Sequence, residues 1–550
     1  MDQIEMSLFG GGNWADQADA LLLRSHKAVA GGLSQFAPME FSDGENLDFL
    51  DKGIGKRKGS TLDASLVSVL VAGDSLIRGI EWNGIQIAVG VKSIYTNQSG
   101  TWARFNDSGS VAYSHAADVS KVSFDSTDGH LFIFLDGANS IQVYKSGADL
   151  DAALNLGNTY EEIYSGTNVV TGTWATSYYI GGVFHGRLVF STGNSVLEYT
   201  DIDQPWDRAG GGFWKCKGNI IAVAIYAPRA LSNPVEYLFI FTTAGLQILA
   251  GGTFAEPPMS YPGVIPPINH QCVVTTQDWL MWMHKDKSIQ AGNLYGVIDV
   301  GRRFQTGDGA TGPLDTLSPT SSSLDTLPFG YYNATKKQAT WLYPDGTKSV
   351  NSHAVALDLA LGEPLSGEAM PDFEQRVRCL SWAIKDSTTN PWFRSVYPVE
   401  GGNIGLLAAG TAWDLESGLN DLTDVAVQSY WDTPEMIGNA LVYNKQYGFV
   451  RLRFVQKGNW DVEIYKAVNR DAAFTLIGTI TQVNSGTAVY DTAVYDTDTY
   501  ATGQVVRRSL ETQVYAEALR VRILNNDASE NWVLVGMTQD YELARMEEAA

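Results

Sequence analysis

Residues 131–144 read LFIFLDGANSIQVY, and this stretch decides the fold class. An apolar run from Leu131 to Phe134 is followed by a short polar segment that contains Asp136 and Gly137, and a second run ends at Tyr144. Apolar and aromatic runs of this length favour strands, whereas Asp, Gly and Asn favour tight turns. The stretch therefore predicts an antiparallel β-hairpin.

Comparable units recur between residues 65 and 415. They lie at 85–95, 188–199, 238–249, 280–289 and 340–346. Successive units start roughly 40 to 60 residues apart, which is close to the period of a four-stranded propeller blade. The sequence has neither a Trp-Asp repeat nor a kelch glycine pair. One large β-sandwich, or a set of sandwiches, is therefore the alternative to a propeller.

The composition agrees with an all-β protein of two or three domains. The chain has 550 residues, of which 55 are glycine and 11% are aromatic. This length exceeds one ordinary core, glycine serves tight turns, and aromatic residues favour pleated sheets. The three cysteines, Cys216, Cys272 and Cys379, are widely spaced, so the sequence predicts neither a disulfide framework nor a cysteine zinc site.

The formal net charge is −23, which argues against a broad basic surface for binding phosphates. Such a charge either keeps a soluble protein from self-association or marks a surface that must not bind DNA, such as the wall of a conduit. Residues 1–20 are interrupted by acidic side chains, and no apolar run approaches the roughly 18 residues of a membrane helix. The sequence predicts no signal peptide and no membrane span.

The texture of the sequence divides the chain into three segments. Residues 1–62 are punctuated by glycine and are predicted to form an extended N-terminal arm that ends in a leading strand. Residues 63–423 are predicted to form an irregular β-propeller with exposed inserted loops at about 255–270 and 305–325. Residues 424–550 alternate apolar and charged side chains and are predicted to form a C-terminal β-sandwich.

Catalytic signatures are missing from the sequence, which has no His-Glu-x-x-His motif, no P-loop and no Gly-x-Ser-x-Gly elbow. One acidic group, Asp201, Asp203 and Asp207, surrounds Pro205 and Trp206. Two carboxylates suffice for glycoside hydrolysis, but aspartate is also a common turn residue, and the turn interpretation is favoured. The sequence predicts no enzyme, no cofactor and no metal site.

A phrase at residues 46–60 resembles one found in the tail nozzle and tail hub proteins of short-tailed bacteriophages. In that family a Gly-rich segment leads through Asn-Leu and Gly to Lys-Arg-x-Gly-Thr, just before a β-propeller. Here Lys58 stands where proline is usual, and Ser60 where threonine is usual. The resemblance makes structural motif candidates of Asn46, Leu47, Lys56, Arg57 and Gly59.

A second phrase runs from Tyr199 through Asp201 to Pro205 and Trp206. It is similar to the family's Ser-x-x-x-Pro-x-x-Trp phrase, which follows a propeller strand, and it adds Pro205 and Trp206 to the motif candidates. The resemblance covers the first 60 residues well and the propeller loosely. The C-terminal segment matches only in its general alternation of apolar and charged residues.

The resemblance implies a structural protein of the virion, made in the cytoplasm of the bacterial host and located in the phage tail. Such proteins form a ring, usually of six copies, below the portal and the adaptor. The expected partners are five further copies of the chain, the adaptor protein and other tail components such as fibres or a needle. Viral double-stranded DNA would leave through the ring without being bound specifically, and no catalytic group is needed.

Two other functions stay open at this point. A receptor- or glycan-binding tail module would gather exposed aromatic side chains in one pocket. Trp82, Trp102 and Trp174 are candidates for stacking on sugars, although tryptophans of β-proteins more often lie in the core. A propeller glycosidase would instead bring two carboxylates to within about 5 to 9 Å of each other at the propeller axis.

Overall fold

A computed structural model gives the fold of the chain. The residues that it describes are 2–7, 28–29, 33–34, 43–50, 53–57, 59–62, 64–98, 100–105, 112–127, 129–145, 153–155, 174–227, 235–250, 259–261, 263–276, 279–284, 288–294, 296–300, 328–333, 336–343, 351, 353–359, 378–383, 393–399, 403–408, 411–418, 420–421, 425–433, 436, 444–455, 459–469, 473–482, 505–526 and 532–543. The chain divides into two compact units. The sandwich unit comprises 1–60, 375–386 and 416–550, and the propeller unit comprises 61–374 and 387–415.

Seven short strands and one helix precede the propeller in the described part of the chain. They are β1 (Asp2–Ser7), β2 (Ala28–Val29), β3 (Leu33–Ser34), β4 (Asp43–Glu45), β5 (Leu47–Leu50), β6 (Gly53–Lys56), β7 (Gly59–Leu62) and α1 (Ala64–Val69). The helix has only 6 residues, and no described helix is long and apolar enough to cross a membrane.

The first five blades of the propeller unit are four-stranded antiparallel sheets whose strands follow one another in chain order. Blade one is β8 (Leu76–Trp82), β9 (Ile85–Gly90), β10 (Ile94–Gln98) and β11 (Thr101–Arg104). Blade two is β12 (Val122–Thr127), β13 (His130–Leu135), β14 (Gln142–Lys145) and β15 (Ala153–Asn155). Blade three is β16 (Ile180–Phe184), β17 (Arg187–Ser191), β18 (Val196–Tyr199) and β19 (Gly212–Lys215).

Blade four is β20 (Ile220–Tyr226), β21 (Tyr237–Thr242), β22 (Gly245–Ala250) and β23 (Met259–Tyr261). Blade five is β24 (Val273–Thr275), β25 (Leu280–His284), β26 (Ser288–Asn293) and β27 (Gly296–Asp299), and a 3₁₀ turn, His270–Cys272, leads into it. Blade six contributes β28 (Phe329–Asn333), β29 (Gln338–Tyr343) and β30 (His353–Asp358). After β31 (Arg378–Ala383), which belongs to the sandwich unit, blade seven contributes β32 (Phe393–Val399), β33 (Asn403–Ala408) and β34 (Thr411–Gly418).

The first strands of the blades form a closed ring. Strands β8, β12, β16, β20, β24 and β28 are neighbours in that order, and β32 lies beside both β29 and β8. The described part of the propeller unit therefore has seven blades, and the last blade closes the circle beside the first. The predicted all-β propeller is confirmed, since separate radial sheets replace the two stacked sheets of a sandwich.

The hairpin predicted from residues 131–144 is formed by β13 and β14 of blade two. Side chains alternate along a strand, so β13 serves two interfaces. Leu131, Ile133 and Leu135 pack in the core shared with blade one, and Phe132 and Phe134 pack in the core shared with blade three. A strand buried on both faces reads as an unbroken apolar run. Each of these burials stabilises the fold by about 1.5–3 kcal/mol.

The remaining strands belong to the C-terminal part of the chain. They are β35 (Asn420–Asp421), β36 (Val425–Ala426), β37 (Ser429–Asp432), β38 (Lys445–Val455), β39 (Trp460–Val468), β40 (Thr475–Gln482), β41 (Val505–Ala516), β42 (Leu519–Asn525) and β43 (Val533–Leu543). One sheet has the order β41-β38-β43-β6-β5, and a second has the order β4-β37-β42-β39-β40. The ring of Phe454 on the first sheet lies 4.8 Å from that of Trp460 on the second, so the sheets share a core as the predicted sandwich requires.

The N-terminal segment differs from the predicted arm. Strand β1 pairs with β43, β6 pairs with both β43 and β5, and β4 pairs with β37. Leu47 and Ile54 are each only 1% exposed. The described strands β1, β4, β5 and β6 therefore belong to the two sheets of the sandwich unit and do not form an extended arm. Its short strands are held by partners far away in sequence, which a local pattern does not indicate.

The two predicted loops have different outcomes. The second loop, at about 305–325, lies outside the described residues. Within the first, at about 255–270, the strand Met259–Tyr261 and Ile265 are exposed, whereas Pro267 and Ile268 are buried. The Ile268 amide donates to the Met283 carbonyl at 3.0 Å. Only the end of this Pro-rich stretch is therefore anchored to blade five, whereas its described residues before Pro267 are exposed or partly exposed, as the sequence predicts.

Candidate functional site

Most of the first motif phrase forms a joint inside the sandwich unit, which we call the basic joint and define as Asn46, Leu47, Lys56 and Arg57. Asn46 has a φ of 56°, a left-handed conformation that asparagine tolerates better than most residues. The Arg57 amide donates to the Asn46 carbonyl at 2.9 Å, and Arg57 Nε donates to Asn46 Oδ1 at 2.8 Å. Leu47 lies opposite Lys56 in the β5–β6 register.

The basic joint is also fixed to the second half of the sandwich unit. Asn46 Nδ2 donates to the Gln428 carbonyl at 2.8 Å, and Lys56 Nζ donates to Asn525 Oδ1 at 3.2 Å. Lys56 is 1% exposed and Arg57 is 3% exposed. Buried cations with partners inside the chain offer no surface to a DNA phosphate. Their arrangement suits a role in holding the two sheets together.

Of the other positions in this phrase, Gly59 begins strand β7, and Lys58 lies outside the described residues. The basic joint belongs to the sandwich unit, whereas the second phrase belongs to the propeller unit. The two phrases thus serve different units of the chain.

The second phrase contributes a core anchor between blades two and three. Pro205 is buried, and Trp206 is 6% exposed within the core cluster that also contains Phe132 and Phe190. The Trp206 ring meets the His130 ring edge to face at a centroid distance of 5.8 Å. The tryptophan that follows the third strand of this blade therefore packs in the core between blades two and three.

The aspartates around this anchor shape a turn. Asp201 Oδ1 accepts from the Ile202 amide at 2.8 Å, and Asp207 Oδ1 accepts from the Gly210 amide at 2.9 Å. Asp203 has a φ of 53°, the left-handed conformation in which aspartate is found at turns. The geometry agrees with the turn interpretation of this acidic group, because two of its carboxylates bind nearby backbone amides.

The tryptophans considered for sugar stacking belong to the core. Trp82 is 7%, Trp102 is 3% and Trp174 is 9% exposed. A ring buried to this extent presents no face on which a sugar can stack. These three residues therefore give no support to a glycan-binding surface.

A structural feature that the sequence did not indicate lies at the propeller axis. His270 of the 3₁₀ turn precedes blade five, yet its Nε2 donates to the Val122 carbonyl of blade two at 3.0 Å. Arg78 of blade one donates from Nη1 to the same carbonyl at 3.1 Å. Blades two and five lie on opposite sides of a seven-bladed ring, so the turn spans the axis. We call residues 269–272 the axial plug.

The axial plug is fixed at both ends by polar contacts. Asn269 Oδ1 accepts from the Gln271 amide at 2.8 Å and so caps the turn, while Asn269 Nδ2 donates to the Pro328 carbonyl at 2.8 Å. Trp341 Nε1 donates to the Cys272 carbonyl at 2.9 Å. These bonds tie the plug to blade six, in addition to the His270 bond to blade two.

Burial keeps His270 and Cys272 of the axial plug uncharged near neutral pH. Burial, with the Arg78 charge nearby, lowers the pKa of His270 to about 3, so the imidazole is neutral. Burial also lowers the pKa of Arg78 to about 10, which leaves its guanidinium charged. Burial raises the pKa of the Cys272 thiol to about 12, so the nucleophilic thiolate is not populated.

Two carboxylates meet the edge of β16, the first strand of blade three. Asp125 Oδ2 accepts from the Val183 amide at 2.6 Å, and Glu236 Oε2 accepts from the His185 amide at 3.0 Å. Burial raises the pKa of Asp125 to about 6. Because both Asp125 oxygens accept backbone hydrogen bonds, with Oδ1 bonded to the Ser126 amide, this carboxylate satisfies strand-edge donors. Among the described residues no cluster of His, Cys, Asp and Glu is suited to hold a metal ion.

The chain was compared with known proteins. No protein-family model and no curated protein sequence matches it. A solved streptogramin B lyase structure is 11% identical with a TM-score of 0.33 and aligns over 68% of this chain and 96% of its own. An exo-β-1,3-galactanase from Phanerochaete chrysosporium, solved with galactose, is 10% identical with a TM-score of 0.26 and aligns over 80% and 99%. YCF48 bound to D1 peptide is 8% identical with a TM-score of 0.34 and aligns over 68% and 99%. Likeness at this level carries no functional argument.

Proposed function

We propose that this chain is a structural protein of a short phage tail, a nozzle or hub that forms a ring, usually of six copies, around the path of the leaving DNA. The observation that carries the proposal is the basic joint. The residues that resemble the family's phrase are buried together, and Arg57 binds Asn46 from the opposite end of that phrase. A motif used as an internal joint is what a structural family would retain.

The charge of the chain supports the same function. The net charge is −23, and the cations of the basic joint are inside the sandwich unit. A wall that carries carboxylates repels phosphates and releases no condensed counterions, so DNA slides along it without binding. A DNA duplex would thus pass through the ring without being held by its wall.

The axial plug supports a path between copies. A B-DNA duplex is about 20 Å wide, whereas in this propeller His270 reaches across the axis to Val122. The conduit is therefore built from several propellers that surround the path by cyclic symmetry. The adaptor ring above would template this assembly, so an isolated monomer in solution is compatible with the proposal.

The deciding experiment is a reconstruction of phage particles that carry this chain, with a gold-labelled antibody against it as an independent marker. We expect several copies around the tail axis, below the adaptor, with density for DNA or an open channel between them. One copy per particle, or a position at the tip of a side fibre without contact to the axial channel, would contradict the proposal. The latter result would favour a receptor-binding tail module instead.

A further inference from the structure

A pocket of about 450 Å³ opens in the propeller unit where β12, β16 and β20 begin. Its size lies within the range of about 300–1,000 Å³ that is typical of small-molecule sites. The lining has one cation, a small polar edge and an aliphatic wall. Lys121 is the cation, Asn219 and Thr243 form the polar edge, and the aliphatic wall includes Ile221, Ile265 and Pro266. The pocket plays no part in the ring function proposed above.

The cation of this pocket is available to an anion. Lys121 Nζ lies 4.7 Å from the centroid of the Tyr179 ring. Among the described residues no carboxylate lies within ion-pair distance of this ammonium. The Asp136 carboxylate accepts from the Lys121 amide at 3.0 Å and from the Ser120 amide at 2.7 Å, so it is engaged by the backbone.

The surroundings of Lys121 add to its positive potential. His270 lines the same pocket and stays neutral, because burial lowers its pKa and the charges of Arg78 and Lys121 lower it further. A negatively charged group that enters the pocket therefore meets the Lys121 ammonium and a neutral imidazole. The aliphatic wall opposite offers only apolar contact, which suits the hydrocarbon part of a ligand.

The pocket is preformed by its own framework. Gly193 has a φ of 85°, and a Cβ at this position would collide with the Tyr179 hydroxyl, so only glycine fits there. On the opposite side Trp282 Nε1 donates to the Ile265 carbonyl at 2.9 Å. Because these walls are fixed before a ligand arrives, little ordering is lost on binding.

We propose that this pocket binds an organic carboxylate with an aliphatic body, the carboxylate on the Lys121 ammonium and the chain against Ile221, Ile265 and Pro266. The same chemistry is offered by a free aliphatic acid and by an acidic residue next to an aliphatic one in a peptide of another protein. Asn219 and Thr243 lie at the polar edge of the pocket, where they can meet the polar end of either ligand.

The test uses three ligands of equal length, hexanoate, hexanamide and hexylammonium, titrated into the full-length protein at low salt with saturation-transfer NMR and calorimetry. For a ligand of this size we expect hexanoate to bind with a Kd on the order of 1–10 mM. Hexanamide and hexylammonium should bind at least about tenfold more weakly, because neither places a negative charge beside Lys121. A fourth ligand, acetyl-Ile-Glu-amide, separates the two sources, since tighter binding than hexanoate identifies a peptide ligand and weaker binding a free acid.

Variants locate the site. Lys121→Met keeps the apolar stem and should weaken hexanoate about tenfold or more, whereas Lys121→Arg should stay within about threefold of the wild type. Lys217→Met removes an exposed lysine that does not line the pocket and should change nothing. Ile221→Trp, at a partly exposed position, should fill the pocket and abolish binding. Equal binding of hexanoate and hexanamide, or an equal loss in Lys121→Met and Lys217→Met, would overturn the proposal.

Discussion

Arg57→Ala tests whether the basic joint is structural. The substitution removes the 2.8 Å bond from Arg57 Nε to Asn46 Oδ1, a buried hydrogen bond to a charged group that contributes about 1.5–3 kcal/mol. It also removes the buried stem of the side chain, at about 0.8 kcal/mol per methylene. The two losses together predict that the free energy of unfolding of the sandwich unit falls by about 4 kcal/mol. The backbone bond from the Arg57 amide to the Asn46 carbonyl is left in place.

Hydrogen–deuterium exchange read on peptides from β5, β6 and β38 gives a local measure of this loss. Because 1.4 kcal/mol corresponds to a factor of ten, the protected amides should exchange about a thousandfold faster in Arg57→Ala. Arg507→Ala, an exposed arginine on β41 of the same unit, is the matched control and should change stability by less than about 0.5 kcal/mol. The structural role of the basic joint would be refuted if amide exchange were no faster in Arg57→Ala than in Arg507→Ala. Weaker DNA binding by Arg57→Ala in the same experiment would favour a phosphate contact instead.

Three further predictions concern the propeller and the surface charge. Trp206→Ala should destabilise the propeller unit by about 3–5 kcal/mol, because it opens the core between blades two and three, and thermal unfolding of the variant checks this. Asp125 has a pKa raised from 3.8 to about 6, so the folded state holds its proton more tightly, and stability should fall by at most about 3 kcal/mol as pH rises from about 4 to about 6. Urea titrations across this range should give a flatter profile for Asp125→Asn, and an unchanged slope would contradict the assignment. The Kd for duplex DNA should be no lower than about 10⁻⁵ M at about 150 mM salt in a gel-shift assay. A sub-micromolar Kd would contradict a channel wall along which DNA slides without binding.

The propeller was predictable because its signals are local. Alternation and turn chemistry are contained within a few residues, and the run at 131–134 is apolar throughout because β13 faces two neighbouring blades. The number of blades was not predictable, since the units share no repeated motif and several strands are only three residues long. Strand pairing over long sequence distances also has no local signal, which is why the N-terminal segment looked like an arm.

The candidate site was predictable only in part. The resemblance identified Lys56 and Arg57, but not their burial, because the partner of Lys56 is Asn525, 469 positions away. The axial plug has no signature either. His270 follows a Pro-rich stretch whose composition indicates an exposed loop, and its partner Val122 lies 148 positions earlier in the chain. The contact between His270 and Val122 depends on closure of the propeller ring, which the sequence does not encode in any single segment.

The pairing of the first residues with the last has a consequence for how a cell makes this protein. Strand β6 ends at Lys56, and its partner β43 begins at Val533, so 533 − 56 = 477 residues of synthesis separate the two. At about 5–20 residues per second, β6 waits roughly 25 to 95 s on the ribosome for this partner. The blades can close during that interval, but the sandwich cannot. A chain truncated before Val533 leaves β6 without β43, so the sheet that contains the basic joint is completed only after β43 has been synthesised.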